Sequence, residues 1–204
     1  MSTADVQGSG EIVGILLAAG RGRRFDPTGE KDKLQQTLPD GTMVAIAAAR
    51  HLLASLPAVV AVVRSNNPAL ASRLAENGCR VSLCESADKG MAVSLVHALS
   101  EASDASGWII ALGDMPFVSP ATITALHAAL KDGAGIAVPT CDGRRGNPVG
   151  FSRIHLDELL RLQGDEGARR LLTSCVVTEI ETGDVGILRD IDTAKDLAVS
   201  AGTQ

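Results

Sequence analysis

Arg21, Arg23 and Arg24 crowd one short loop together with Gly20 and Gly22, just after Ala18 and Ala19. Small residues let backbone N–H groups come close to an anion, and guanidinium charge does not titrate away. The loop therefore has the composition of a phosphate cradle, against the plainer alternative of a solvated Gly- and Arg-rich turn. Two familiar cradles are excluded by spacing, since neither G-x-G-x-x-G opening a helix nor G-x-x-x-x-G-K-[ST] is completed around Gly20 and Gly22. A carboxylate with matching chemistry stands in Gly113-Asp114-Met115-Pro116. Asp114 could hold Mg2+ against a triphosphate, because magnesium takes one or two protein carboxylates and leaves its other positions to water and phosphate oxygens. It could instead cap the segment that follows. Asp190 and Asp192, in Asp190-Ile191-Asp192-Thr193, offer a second acid to clamp the ion; ahead of Thr193, Asp192 is also placed to be a helix N-cap.

The elements around these residues decide whether they can meet. Residues 12–17 are an unbroken apolar run, which suits a strand buried on both faces and so a sheet covered by helices. Ligands of open α/β folds bind at the carboxyl edge of such sheets. The arginine loop follows this strand, and Asp114 follows another apolar run at 108–112, so both emerge at that edge. Spacing predicts helices at 44–56, 69–76, 91–102 and 120–130. Asn77-Gly78 closes the second of these; Ser119 caps the last, with Pro120 in its first turn. Further strands are expected at 58–63 and 80–84. Beyond Gly135, apolar segments at 136–139 and 149–152 bracket Cys-Asp-Gly-Arg-Arg-Gly-Asn-Pro, a stretch that reads as too long and too charged for a tight hairpin turn. Helices at 155–162 and 168–174, a strand at 176–180 and a closing helix at 194–201 complete the series. Alternation of this kind predicts a three-layer α/β/α arrangement with a mostly parallel sheet.

The chain has 204 residues, enough for one sizeable core, and no repeat or low-complexity linker divides it. Residues 11–204 are expected to form a single domain behind a flexible tail, 1–10. Aromatic residues are confined to Trp108, Phe25, Phe117 and Phe151, so the core must be aliphatic. A formal net charge of −5 argues against a nucleic-acid polymer as partner, which would need clustered cations to neutralise many phosphates. Cys79, Cys84, Cys141 and Cys175 form no C-x-x-C pair and read as small buried hydrophobes in a reducing compartment. The tail carries no signal-peptide core, and no apolar run approaches the ~20 residues of a membrane span. A cytoplasmic protein with no membrane partner is expected. His51, His97, His127 and His155 fall within predicted helices without repeated spacing, and none is assigned a catalytic role.

Taken in order from Leu17 to Leu197, the motifs resemble those of the nucleotidyltransferases that activate sugars, alcohols and molybdopterin, and among these the molybdenum cofactor cytidylyltransferases. Leu17-Ala18-Ala19-Gly20-Arg21-Gly22-Arg23-Arg24-Phe25-Asp26 is similar to the family's L-A-A-G-x-S-x-R-M-G, with Gly22, Phe25 and Asp26 departing from it. Lys33, in Asp32-Lys33-Leu34, stands for the family's lysine, and Lys31 competes for that place. Gly90-Met91-Ala92-Val93-Ser94-Leu95 is similar to G-M-x-x-S-L. The stretch ending Gly146-Asn147-Pro148-Val149-Gly150-Phe151 resembles the acceptor loop, with Asn147 where many relatives have histidine. Gly164-Asp165-Glu166-Gly167-Ala168-Arg169 is similar to G-D-x-G-A-R, and Asp192-Thr193 with Asp196-Leu197 to D-T-x-x-D-L.

This resemblance implies a Rossmann-like nucleotidyltransferase fold. It implies nucleotide binding by Leu17, Ala18, Ala19, Gly20, Arg21, Gly22, Arg24, Lys33, Gly90, Ser94 and Asp114, with Arg24, Lys33 and Asp114 catalytic. Mg2+ would lie between Asp114 and Asp192, with Asp190 the alternative to the latter. Arg145, Gly146, Asn147, Pro148, Gly164, Asp165, Gly167 and Arg169 would face the acceptor. The implied reaction moves CMP from CTP to the terminal phosphate of molybdopterin and releases pyrophosphate; Ala19 favours the cytidyl- over the guanylyl-transferring branch. CTP or another nucleoside triphosphate, a molybdopterin-type acceptor and a molybdenum-containing oxidoreductase are the implied partners. The alternatives are a related transferase with another nucleotide or acceptor, and a non-catalytic carrier of molybdenum cofactor.

Overall fold

A computed structural model describes residues 10–28, 30–164 and 168–198. The strands are β1 (Ile12–Ala18), β2 (Val59–Arg64), β3 (Arg80–Cys84), β4 (Gly107–Leu112), β5 (Ile136–Cys141), β6 (Arg144–Arg145), β7 (Val149–Ser152) and β8 (Thr178–Glu181). The helices are α1 (Val44–Leu53), α2 (Pro68–Glu76), α3 (Met91–Glu101), α4 (Pro120–Lys131), α5 (Leu156–Leu160) and α6 (Arg169–Ser174). Among the described residues no helix is long and apolar enough to cross a membrane.

One eight-stranded sheet runs β3-β2-β1-β4-β7-β5-β6. Ala137 pairs with both Gly150 and Thr178, so β8 takes the edge of β5 opposite β7. β1 to β4 are mutually parallel, and β7 and β6 are antiparallel to their neighbours. Side chains alternate across β1 because strand Cβ atoms do. Ile12, Leu16 and Ala18 join a cluster with Ala49 and Leu52 of α1, Leu70 of α2 and Leu126 of α4. Ile15 and Ala19 join the opposite cluster with Leu95 and Leu99 of α3 and Leu159 of α5. Helices therefore cover both faces, and the expected three layers are present.

Chain order reverses between β1 and β4, which lie side by side at the centre. A crevice opens at the carboxyl ends of strands at such a point. The arginine loop leaves β1 here, and Asp114 follows β4. The amide of Gly113 donates to the carbonyl of Leu17 at 2.9 Å, which extends the pairing to the base of both loops.

Caps explain several helix starts. Asn67 Oδ1 accepts from Leu70 N at 3.2 Å and Ser119 Oγ from Ala121 N at 3.2 Å, each just before a proline. Such a proline sacrifices no donor, because the first helical N–H groups lack intrahelical partners.

Three expectations are corrected. The polar stretch after β5 does make a tight hairpin: Cys141 pairs with Arg144 around Asp142 and Gly143, whose φ values are 51° and 70°. Asp-Gly suits a two-residue turn that needs positive φ at both positions, and the charged residues beyond it belong to β6. The described part of the closing helix expected at 194–201 is a 3-10 turn over Asp196–Ala198, not an α-helix, and 199–201 lie outside the described residues. Asp196 reaches back to accept from the amides of Asp192 (3.0 Å) and Thr193 (2.6 Å), which satisfies donors at the start of this turn. Finally, the helix expected at 155–162 is split between a 3-10 turn at Arg153–His155 and the short α5, with His155 in the turn.

Candidate functional site

After β1 the chain turns on Gly22, at φ 59°, and the amides of Phe25 and Asp26 donate back to its carbonyl at 2.8 and 3.1 Å. Asp26 then organises the next segment by accepting from Thr28 Oγ1 (2.7 Å), Thr28 N (2.9 Å) and Lys31 N (2.8 Å). The hydroxyl of Thr28, helped by the amide of Lys31, holds the Asp26 carboxyl below its usual range. Lys31 is thereby fixed by its backbone and its side chain is left exposed. The next residue, Asp32, caps a 3-10 turn, Lys33–Gln35, by accepting from Leu34 N at 3.0 Å.

That turn sends Lys33 inward. Its ammonium lies 2.6 Å from Asp114 Oδ2 and 3.2 Å from Asp192 Oδ1, and the residue is only 8% exposed. Burial pulls its pKa down, but the charge of Asp114 and the hydrogen bonds to both acids prevail and leave it raised. Arg24 pairs with the other oxygen of Asp192. Asp192 is therefore engaged with cations rather than serving as an N-cap. Ile191, fully buried, anchors this segment, and its amide donates to the carbonyl of Asp114 at 2.8 Å. Its neighbours Asp190 and Asp192 are thereby brought to Asp114, and one oxygen of each of the three acids lies within 4.8 Å of the others. Asp114 Oδ1 is buried without a hydrogen-bond partner. Lys33, not Lys31, reaches this cluster, whereas both Asp190 and Asp192 do.

Beside the cluster lies a cleft of about 350 Å³, lined by Leu17, Ala19, Gly20, Arg21 and Arg23 on the β1 side. Asp88, Gly90, Met91 and Ser94 line the opposite lip, with Lys33, Leu112 and Asp114 between. Arg21 pairs with Asp88 across the mouth. The guanidinium bond holds the Asp88 carboxyl below its usual range. Ala18 is buried beneath the loop. Gly22 fits against the stem of Lys33: a Cβ there would stand 3.1 Å from Lys33 Cγ, and its positive φ disfavours any other residue.

The residues assigned to the acceptor are more scattered. Arg145 is paired with Glu179 at 2.7 Å and donates to the carbonyl of Leu172 at 3.2 Å. Gly146 packs directly on the carbonyl of Ile187, and Asn147 N donates to the same oxygen at 3.0 Å. Asn147 and Pro148 border a void of about 10 Å³ shared with His51 and Met115 rather than the cleft. Gly164 comes closer, because its carbonyl accepts from Ala92 N at 3.1 Å, next to Gly90 and Met91 on the cleft rim. Asp165 and Gly167 lie outside the described residues, as does the side chain of Arg169.

One group of site residues is absent from the sequence expectations. Besides capping its own turn, Asp32 accepts from Asn67 Nδ2 at 2.7 Å and pairs with Arg64 at 3.5 Å. The Lys33 turn is thus tied to the end of β2 and the start of α2. An Asp before a short turn is a recognisable cap signal, but its link to residues 64 and 67 depends on β1 and β2 being adjacent. Asp32→Ala is expected to lower stability by about 1 kcal/mol, seen as an earlier urea midpoint, while Asp32→Asn keeps an accepting oxygen and loses less.

The family profile described as MobA-like NTP transferase domain matches residues 14–180. Purine catabolism protein PucB of Bacillus subtilis (strain 168) is 29% identical over 197 residues, covering 91% of this chain and 93% of that protein. The crystal structure of Rv0371c from Mycobacterium tuberculosis H37Rv is similar with a TM-score of 0.79 and 29% identity, over 91% of this chain and 95% of that one. Rv0371c in complex with manganese is similar with a TM-score of 0.74 and 30% identity over the same shares. Molybdopterin-guanine dinucleotide biosynthesis protein A from Archaeoglobus fulgidus shares the fold, with a TM-score of 0.67 and 22% identity over 91% and 92%.

Proposed function

This chain belongs to the MobA-like NTP transferase family, and from that premise we propose that it transfers CMP from CTP to the terminal phosphate of a molybdopterin-type acceptor and releases pyrophosphate. The observation that carries the reading is the meeting of Lys33 and Arg24 with Asp114 and Asp192 beside a glycine- and arginine-lined cleft. Transfer of this kind needs no covalent protein intermediate, because alignment and neutralisation of phosphate charge supply most of the catalysis. Backbone amides from Ala19 to Gly22 receive the polyphosphate, and Arg24 and Lys33 grip its β- and γ-phosphates. Gly90 and Ser94 hold the nucleoside end. Gly164, Asp165, Gly167 and Arg169 meet the acceptor, together with Arg145, Gly146, Asn147 and Pro148. Residues 11–204 act as one catalytic domain.

Three hard carboxylates, one with a buried unpartnered oxygen, suit Mg2+ better than a softer ion. The manganese complex of Rv0371c is consistent with a divalent ion in such a fold. Asp114 and Asp192 would hold the ion, with Asp190 beside them. Bound there, it would neutralise phosphate charge and align donor with acceptor. Lys33 bonds one oxygen of each acid, and a divalent cation held there would free its ammonium for the incoming phosphates.

The test incubates purified protein with Mg2+, molybdopterin and each of the four ribonucleoside triphosphates, then identifies any dinucleotide by mass. Pyrophosphate and a cytidine dinucleotide formed with CTP alone are expected. A guanosine product would move the chain to the other branch. Tight cofactor retention without pyrophosphate would make it a carrier that hands molybdenum cofactor to an oxidoreductase.

A further inference from the structure

His155, Glu158 and Cys175 bring an imidazole, a carboxylate and a thiol together, with one ligand atom from each within 4.8 Å of the others. None of the three lines the cleft. His155 is held in place: its ring meets Phe151 edge-on, with centroids 6.3 Å apart at 81°. Its Nε2 side faces Gly135, where a Cβ would stand 3.2 Å away. Nδ1 points instead to Glu158 Oε2, at 2.8 Å. Cys175 ends α6 with its amide bonded to the carbonyl of Leu171 at 3.0 Å, and its sulfur lies 3.8 Å from Ser174 Oγ. A hydrogen bond between His155 and Glu158 does not by itself call for the thiol.

We propose that these three residues form a second metal site, for a borderline-soft divalent cation of the zinc type, separate from the magnesium cluster. Zinc bonds of about 2.0–2.3 Å in tetrahedral geometry place ligand atoms roughly 3.3–3.7 Å apart, so a small rotation of the half-exposed Glu158 and of the Cys175 thiol closes the set. Three protein ligands leave the fourth position to water. Binding releases the thiol proton to solvent, since the thiolate is the ligand. The site closes the chain between residues 155 and 175, which includes Gly164, whose carbonyl bonds Ala92 N at the cleft rim. Zinc would therefore tether that rim.

The full chain, stripped with a chelator, is titrated with Zn2+ against a chromophoric competitor and separately with Co2+. One tightly held equivalent and a cobalt–thiolate charge-transfer band are expected. Both should be lost in Cys175→Ser, and zinc affinity should fall more than about 100-fold in Glu158→Gln, since even outer partners of a metal site are worth about 10–100-fold. Circular dichroism confirms that each variant is folded, and Asp114→Asn must keep the tight equivalent. Absence of sub-micromolar zinc in the wild type overturns the proposal. So does zinc held undiminished in both Cys175→Ser and Glu158→Gln, or lost only in Asp114→Asn.

Discussion

Asp114→Ala is expected to slow pyrophosphate release by about a hundred- to a thousandfold, roughly 3–4 kcal/mol of transition-state stabilisation, with the fold intact. Its backbone is held independently of its carboxylate, by the bond from Ile191 N to its carbonyl and by Gly113 N to Leu17 O. The side chain contributes to the cluster and the cleft rather than to the core. Circular dichroism should therefore change little while turnover nearly vanishes, and the unfolding midpoint should fall because the buried Lys33 ammonium keeps only Asp192, at 3.2 Å, as an acid partner. Full activity in the variant would remove Asp114 from the catalytic site.

Lys33→Met should injure activity and, more than Asp114→Ala, resting stability, because it removes the cation that two acids share. Without the ammonium, Asp114 loses its 2.6 Å partner, and Asp192 keeps only Arg24. Carboxylates deprived of a partner in a part-buried site cost about 1–3 kcal/mol, which a urea titration of the metal-free variant would read. kcat/KM should fall by about a hundred- to a thousandfold, as for other lost electrostatic contacts to a transferring phosphate. Added Mg2+ should raise the unfolding temperature of Lys33→Met more than that of the wild type, because the variant's acids no longer have a resident cation. An equal shift in both would mean that Lys33 and the divalent ion do not share these carboxylates.

The parts of the fold legible in the sequence are those in which one local pattern decides the outcome. The unbroken runs at β1 and β4 announce strands buried on two faces, and that alone puts the arginine loop and Asp114 at one edge. Ser119-Pro120 marks the start of α4. The Asp142-Gly143 turn was equally local, yet the arginines after it obscure the dipeptide that makes a hairpin. Other features are not local. Nothing in the order of residues says that Glu179 answers Arg145, or that Arg64 and Asn67 brace Asp32, because each contact exists only once the strands have taken their places. Asp192 shows the same division: beside Thr193 it has the look of a cap, and only the buried Ile191 plug turns it towards Lys33 and Arg24.

The Arg21–Asp88 clasp joins the two lips of the cleft through side chains that are 46% and 47% exposed. Attraction between groups so open to water weakens as dissolved ions gather around them. The entrance is therefore the portion of this molecule whose width answers to ionic strength, while the Lys33 pocket behind it, shielded from solvent, keeps its shape in brine.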